Sequence, residues 1–260
     1  KRMSFFFNSH NYFFEEIAKF RAARRVWAKI MKDKFNVTDP KGLLCRFHTQ
    51  TAGSTLQAQQ IDNNIVRTTM QATAAILGGT QSLHTNSKDE ALSLPTKQSA
   101  KTALRTQQIL AHETGIPDVI DPLAGSYYLE SLTDTIEEEV FKLIDKIDNL
   151  GGSIKAIEES FQQNEIANTA FEYQKRIDSQ EQIIVGVNKY ENENEIEKSD
   201  LQQIDQDAIE HQLTRLKLFK ENRNSHNVQS ALAELKKSLT QDINLLPVII
   251  SCIKNSCTLG

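Results

Sequence analysis

Two short apolar segments, residues 43–47 and 81–84, lie one helix's length apart, and each gives way to a run of small polar residues. His48-Thr49-Gln50-Thr51-Ala52-Gly53 follows the first, and Thr85-Asn86-Ser87-Lys88-Asp89-Glu90 follows the second. An apolar strand that opens into a polar loop before a helix is the repeating unit of a parallel α/β fold. In such folds the loops at the strand C-termini carry ligands and chemistry. These two loops are therefore the first candidates for a site.

The rest of the chain fits that unit over its first half. Residues 2–7 read as a short buried strand, 8–11 as a polar turn, and 12–35 as a long helix. That helix has Phe14, Ile17, Ala18, Ala23, Val26, Trp27, Ile30 and Met31 on one face. A second helix spans 60–77, with Ile61, Ile65, Val66, Met70, Ala74 and Leu77 as its apolar side and Gly78-Gly79 as its stop. Thr96 can cap a third, running to residue 114, with Gly115 at its C′ position and Pro117 just beyond. Crossovers of this length suit only parallel strands. Beyond residue 118 the pattern changes. Residues 121–128 form a turn-rich loop, and a helix with an acidic first turn runs 134–150. A helical stretch follows over 154–179, then a short strand at 182–187 and a charged linker at 190–199. Helices at 206–221 and 227–239 and an apolar stretch at 245–253 complete the chain.

At 260 residues the chain can hold one large domain or two smaller ones, and 39% hydrophobic content is ample for a core. A net charge of −4 with both signs mixed implies no basic face for nucleic acid. No apolar run approaches the ~18 residues of a membrane span. The first residues, Lys1-Arg2-Met3-Ser4-Phe5-Phe6-Phe7, have no small-residue cleavage site and no initiator Met, so they read as the inside of a longer chain. Cys45, Cys252 and Cys257 form no CxxC pair, and the six histidines show no metal spacing. A disulfide scaffold or a metal site is not expected, and a reducing cytoplasm is.

Several longer blocks carry a family resemblance. They are Arg46-Phe47-His48-Thr49-Gln50-Thr51-Ala52-Gly53, Asn63 through Thr68, Gly78 through Ser87, Asp89-Glu90-Ala91-Leu92, Asp121 through Tyr128 and Ile184 through Tyr190. In this order they resemble the large subunits of the methylmalonyl-CoA mutase family, which are adenosylcobalamin-dependent acyl-CoA mutases. The likeness fades in the last third, although Cys257-Thr258-Leu259-Gly260 is similar to the family's stretch before its cobalamin domain. The resemblance implies an α/β fold: residues 1–130 as the last three βα units of a (β/α)8 TIM barrel that binds acyl-CoA. Residues 131–260 would be a mainly helical region and linker toward a cobalamin domain. The Asp-x-His-x-x-Gly cobalamin signature does not occur in the sequence. The implied activity is a radical 1,2-rearrangement, methylmalonyl-CoA to succinyl-CoA, with isobutyryl-CoA as an alternative substrate. The implied partners are the remaining barrel and a cobalamin-binding domain or subunit, in a dimeric enzyme. A non-catalytic partner subunit that keeps the barrel only for assembly is the rival reading.

Residue by residue, the resemblance implies that Gln50 faces the substrate and the adenosyl group, where a neutral amide fixes a carbonyl or hydroxyl without offering a proton. A loop glutamine bonded to backbone is the alternative. Asn86 and Glu90 match the family's ribose-binding pair, and Leu94 and Pro95 are expected to pack beside the same adenosine as an apolar wall. His48 is a second catalytic candidate, with a structural histidine as the equal alternative. Arg2 and Ser4 match an Arg-x-Ser that touches the coenzyme A part of the substrate, and Gln81 falls near the substrate as well. Arg46 is expected to support the layer beneath the site, and His84 to be structural.

Overall fold

A computed structural model describes residues 3–191, 201–203 and 205–259. Three parallel strands, β1 (Phe5–Ser9), β2 (Phe47–Thr51) and β3 (Ser82–His84), pair in that order. Helices α1 (Phe13–Lys29), α2 (Asn63–Leu77) and α3 (Lys97–His112) follow the strands in turn. The register aligns Phe6, His48 and Ser82 in one row and Asn8, Gln50 and His84 in the next. Side chains alternate across a strand, so these six share one face. The opposite face carries Phe5, Phe7, Phe47 and Leu83, which pack with Phe20, Trp27 and Ala75 of the helices. Phe20 stacks on Phe47 at 5.2 Å between centroids. One face of the sheet is thus a core wall. Among the described residues, no helix covers the other.

Two of the expected strands, the central one and one at the edge, are displaced. The strand expected at 43–47 begins at Phe47 and runs through His48-Thr49-Gln50-Thr51, the residues expected to form its loop. Pro40-Lys41-Gly42 forms a 3-10 turn that runs into Leu43, and Leu44 is exposed, so the apolar residues ahead of Phe47 are spent on the approach. Thr49 and Thr51 are fully buried, and β-branched Thr suits a pleated strand even in a polar run. The first strand is likewise Phe5–Ser9 rather than 2–7, and Arg2 lies outside the described residues. Helix α1 closes in a π-helical turn at Ile30–Lys34.

The buried side of α2 also differs from the apolar stripe the periodicity predicts. Asn64, Thr68, Gln71, Ala72 and Ala75 face inward with Ala74, while Val66 and Met70 are exposed. Helix α3 is capped as expected, the Thr96 hydroxyl accepting from the Ser99 N–H, and Gly115 is left-handed (φ 65°).

Helix α4 (Tyr127–Asn149) starts seven residues before the expected 134. Glu130 reaches back to accept from the Gly125 N–H at 2.9 Å and pairs with Arg21 at 2.7 Å, which organises the first turn. Asp134 and Glu137, expected as the dipole-matching first turn, instead pair with α1. Arg25 contacts both, at 2.6 and 2.7 Å, and Lys29 reaches Glu137. Ile17, Ala18, Ala74 and Leu129 form the core between α1, α2 and α4.

The stretch expected as one helix over 154–179 is two, α5 (Ser153–Glu158) and α6 (Phe161–Asp178), parted where Ser160 turns left-handed (φ 58°). No strand forms at 182–187. Asn188 ties that segment into a turn, accepting from the Ile184 N–H and donating to the Ile177 and Gln182 carbonyls. Arg67 of α2 holds the turn through the Val185 carbonyl at 2.8 Å. The linker expected at 190–199 lies largely outside the described residues.

The chain divides into two compact units, Lys1–Gln202 and Gln203–Gly260. The second contains α7 (Gln206–Asn222), α8 (Ser225–Ser238) and α9 (Leu246–Lys254), with Val228, Ala231 and Cys252 buried. Among the described residues, no helix is long and apolar enough to cross a membrane.

Candidate functional site

At the C-terminal edge of the sheet, the loops after β2 and β3 meet over Gly53. Gln50, on β2 itself, donates through Nε2 to Asn86 Oδ1 at 3.0 Å. Asn86 is 2% exposed, and Thr51 holds it twice: its N–H donates to Thr51 Oγ1 and its Nδ2 to the Thr51 carbonyl, at 2.9 and 3.0 Å. A Cβ at position 53 would lie 2.9 Å from Asn86 Nδ2 and 3.2 Å from Glu90 Cγ, so a glycine is what lets the two loops close. Glu90 is exposed beside this contact. Leu94 and Pro95 follow at the end of the same loop, Leu94 open to solvent and Pro95 half-buried.

The β3 loop is held from within by Asp89, which is buried. Its carboxylate accepts from the Ser87 and Ser99 hydroxyls, each at 2.5 Å, and from the Thr96 N–H at 3.2 Å. Burial alone pushes such a carboxyl up. Here the hydrogen bonds outweigh burial and hold it below its ordinary value.

Helix α2 holds both loops from below with two buried amides. Asn64 accepts from the Gln57 N–H at 3.0 Å and donates to the Gln57 and Lys88 carbonyls, each at 2.8 Å, which joins the β2 loop to the β3 loop. Gln71 accepts from the Ala52 N–H and donates to Thr55 Oγ1 and Asn11 Oδ1, while Ser9 Oγ donates to the Gln71 carbonyl. The ends of β1 and β2 are thereby fixed to one helix.

A second cluster occupies the N-terminal edge. A shallow cavity of about 460 Å3 is lined there by Ser4, Phe6, Arg46, His48, Gln81 and Ser82 among others. His48 Nδ1 lies 2.6 Å from Ser82 Oγ, and its ring sits 4.9 Å from that of Phe6. Both ends of the Gln81 amide go to backbone: Oε1 accepts from the Phe47 N–H at 2.7 Å and Nε2 donates to the Gly79 carbonyl at 2.8 Å. Arg46 is exposed at this edge.

The residues singled out in the sequence therefore fall into two groups. Gln50, Asn86 and Glu90 converge, with Leu94 and Pro95 further along the same loop. Ser4, His48 and Gln81 line the opposite end. The groups are continuous through the uncovered face, because His48 and Gln50 are two residues apart on β2 and so about 7 Å apart along it. Gly53, Thr51, Asn64 and Gln71 were not singled out. The signal for the last two is an amide at helical spacing on the inward side of α2, where periodicity alone calls for apolar residues. His84, expected to be structural, is Gln50's neighbour in the register and exposed on the same face. Among the described residues, no group of three His, Cys, Asp or Glu side chains is placed to hold a metal ion.

Comparison with known proteins gives one family. The family model described as methylmalonyl-CoA mutase matches residues 1–260. The 2-hydroxyisobutanoyl-CoA mutase large subunit of Aquincola tertiaricarbonis is 44% identical over 261 residues, covering 100% of this chain and 46% of that protein. Methylmalonyl-CoA mutase of Rhizobium meliloti (strain 1021) is 44% identical over 261 residues, with 100% and 36% covered. The mitochondrial methylmalonyl-CoA mutase of Bos taurus is also 44% identical over 261 residues, with 100% and 35% covered. The chain spans less than half the length of each of these relatives.

Proposed function

The chain belongs to the methylmalonyl-CoA mutase family, and on that premise we propose that it forms the C-terminal part of the substrate-binding barrel of an adenosylcobalamin-dependent acyl-CoA mutase. The reaction is the 1,2-rearrangement of the carbon skeleton, from methylmalonyl-CoA to succinyl-CoA. The observation that carries this reading is the convergence of Gln50, Asn86 and Glu90 around Gly53 at the C-terminal edge of a parallel sheet. The barrel itself is supported by three consecutive parallel strands with helices on one face and a polar, uncovered opposite face. In this reading residues 1–130 carry the acyl-CoA face and residues 131–260 lead toward the cobalamin domain. The remaining barrel and a cobalamin-binding domain or subunit complete a dimeric enzyme.

The donor set fits a neutral, hydroxyl-bearing nucleoside better than an anion. It offers two amides and one carboxylate, and among the described residues no Lys or Arg side chain is bonded to them. Glu90 is open to accept from a pair of hydroxyls, and the Gly53 cradle keeps its stem beside Asn86. When bound in the complete enzyme, adenosylcobalamin supplies the radical chemistry. The chain's own residues position and shield. Thr51 fixes the Asn86 amide, Asn86 orients Gln50, and Gln50 is left to present its carbonyl oxygen toward the uncovered face. Thr51, Asn86 and Gln50 neither donate nor take up a proton readily, so these three hold the substrate without acting as acid or base. At the other edge Ser4 and His48 line the cavity through which the longer part of an acyl-CoA would run, with Arg2 ahead of them in the sequence. Gln81, bonded to backbone at both ends, shapes that wall.

Glu90→Ala in the complete enzyme tests the reading. Loss of a hydrogen bond to a charged group, about 1.5–3 kcal/mol, should weaken capture of the adenosyl cofactor roughly ten- to a hundredfold and acyl-CoA binding much less. Equal losses for both ligands would make Glu90 structural. An assembly that turns over unchanged with both Glu90 and Gln50 replaced by Ala would favour a partner subunit without a catalytic role.

A further inference from the structure

The second compact unit ends in a helix cap that brings two thiols together. Helix α9 stops after Lys254, Ser256 turns left-handed (φ 62°), and the chain folds back. The Cys257 N–H then donates to the Cys252 carbonyl at 3.0 Å, and the Ser256 N–H to the Ile253 carbonyl at 3.0 Å. This pair of bonds is the Schellman closure, which sets the side chains of its first and last residues against each other. Those residues are Cys252 and Cys257.

The closure decides whether the two sulfurs can bond. In an uninterrupted helix, five residues rise about 7.5 Å. Disulfides join Cα atoms about 4.4–6.8 Å apart. A straight helix would hold the pair out of range, and the reversal at Ser256 removes that separation. Both thiols also face α8. Cys252 Sγ donates to the Ala231 carbonyl at 3.4 Å and Cys257 Sγ to the Val228 carbonyl at 3.9 Å, acceptors within one turn of the same helix. Arg223 pins the returning chain, donating to the Ser256 carbonyl at 3.1 Å and reaching Thr258 Oγ1 at 3.4 Å. The turn is therefore preformed.

We infer that Cys252 and Cys257 form a dithiol that hydrogen peroxide oxidises to an intrachain disulfide across the C-terminal cap of α9. The two thiols differ in access: Cys257 is partly exposed, and Cys252 is 5% exposed. Burial pushes the Cys252 thiol up, and the neighbouring Cys257 adds to it. Cys257 is accordingly the attacking group and Cys252 the resolving one. The Cys257 thiolate attacks one peroxide oxygen, an S–O bond forms as the O–O bond breaks, and the hydroxide released takes up the thiol proton to become water. Cys252 then attacks the Cys257 sulfenic sulfur. The S–S bond forms, the S–O bond breaks, and the Cys252 proton leaves with the hydroxide as a second water. Two thiols lose two electrons, and one peroxide gains them. Cys45 lies buried beside Phe20 and Phe47, in the other compact unit.

Lys254 supplies the readout, because trypsin cuts between the two cysteines. The intact enzyme is treated with hydrogen peroxide, its free thiols are alkylated after denaturation, and the digest is analysed by mass spectrometry. The expected product is one species in which the peptides holding Cys252 and Cys257 are linked, lighter by two hydrogens and separating on reduction. Cys252→Ser should abolish the link and leave a Cys257 sulfenic acid that dimedone traps. Wild-type mapping requires no variant, so a poorly folding Cys252→Ser does not weaken the test. Cys257 oxidised to sulfinic acid while Cys252 is still alkylated would overturn the inference, as would a link only between Cys257 residues of two chains.

Discussion

Gly53 has no side chain because Asn86 and Glu90 already fill the space one would take. Asn86 cannot swing aside without giving up the Thr51 carbonyl. Gly53→Ala should therefore cost about 1–3 kcal/mol, as overpacking does. Chemical denaturation measures it, and a change within error would mean that the loops part freely. Asp89 makes the opposite kind of contribution. Its carboxyl is held below the ordinary value, so the folded state binds the proton less tightly than the unfolded chain. The stabilisation is complete above the unfolded carboxylate value, about 3.9, and is lost as pH falls through the lower folded value. Asp89→Asn should lower stability at neutral pH by about 1.5–3 kcal/mol. It should also flatten the acid limb of the stability curve relative to the wild type. Parallel acid limbs would exclude Asp89 as the group responsible.

At the level of elements, the sequence reveals most where local chemistry acts alone. The Thr96 cap, the stop at Gly115 and the order of strand, helix and strand are all legible, because each depends on a few neighbouring residues. Strand β2 is legible only in part. Its apolar lead-in is not strand, and His48-Thr49-Gln50-Thr51 looks like loop because one face meets polar space while threonines fill the other. Helix α2 misleads in the same way, since its inward face is built to hold loops. Of the candidate site, the convergence of Gln50, Asn86 and Glu90 was legible through the resemblance. The amides beneath them were not, because their partners are backbone groups far along the chain. This reverses what periodicity implies for substitution. Asn64→Leu should cost about 1–3 kcal/mol, leaving Gln57 and Lys88 backbone groups without their partner. Val66→Ala, on the exposed side, should stay within about 0.5 kcal/mol. Thermal melts of the two variants would reject this account if their order were inverted.

For the molecule as a whole, strands β1 and β3 each have one unpaired edge among the described residues, and the face between them is uncovered. Exposed edges are templates for further pairing. The 260-residue chain expressed alone should self-associate, and co-expression with the rest of the proposed barrel should restore a defined size in sedimentation. A cooperatively folding monomer of the chain alone would contradict this. The strict alternation in β2 carries a further consequence, for insertions and deletions. Side chains on a strand change face every residue, so adding one residue inside 47–51 would send His48 or Gln50 into the aromatic core and a threonine or phenylalanine out. Adding two would restore the faces but move Gln50 out of reach of Asn86. The strand is thus intolerant of any change in length, whereas the exposed tip at Ala58-Gln59 can absorb one. Length variation among functional versions of this chain should collect at such tips, and a library of single-residue insertions selected for activity would reveal β2 as a gap in the tolerated map.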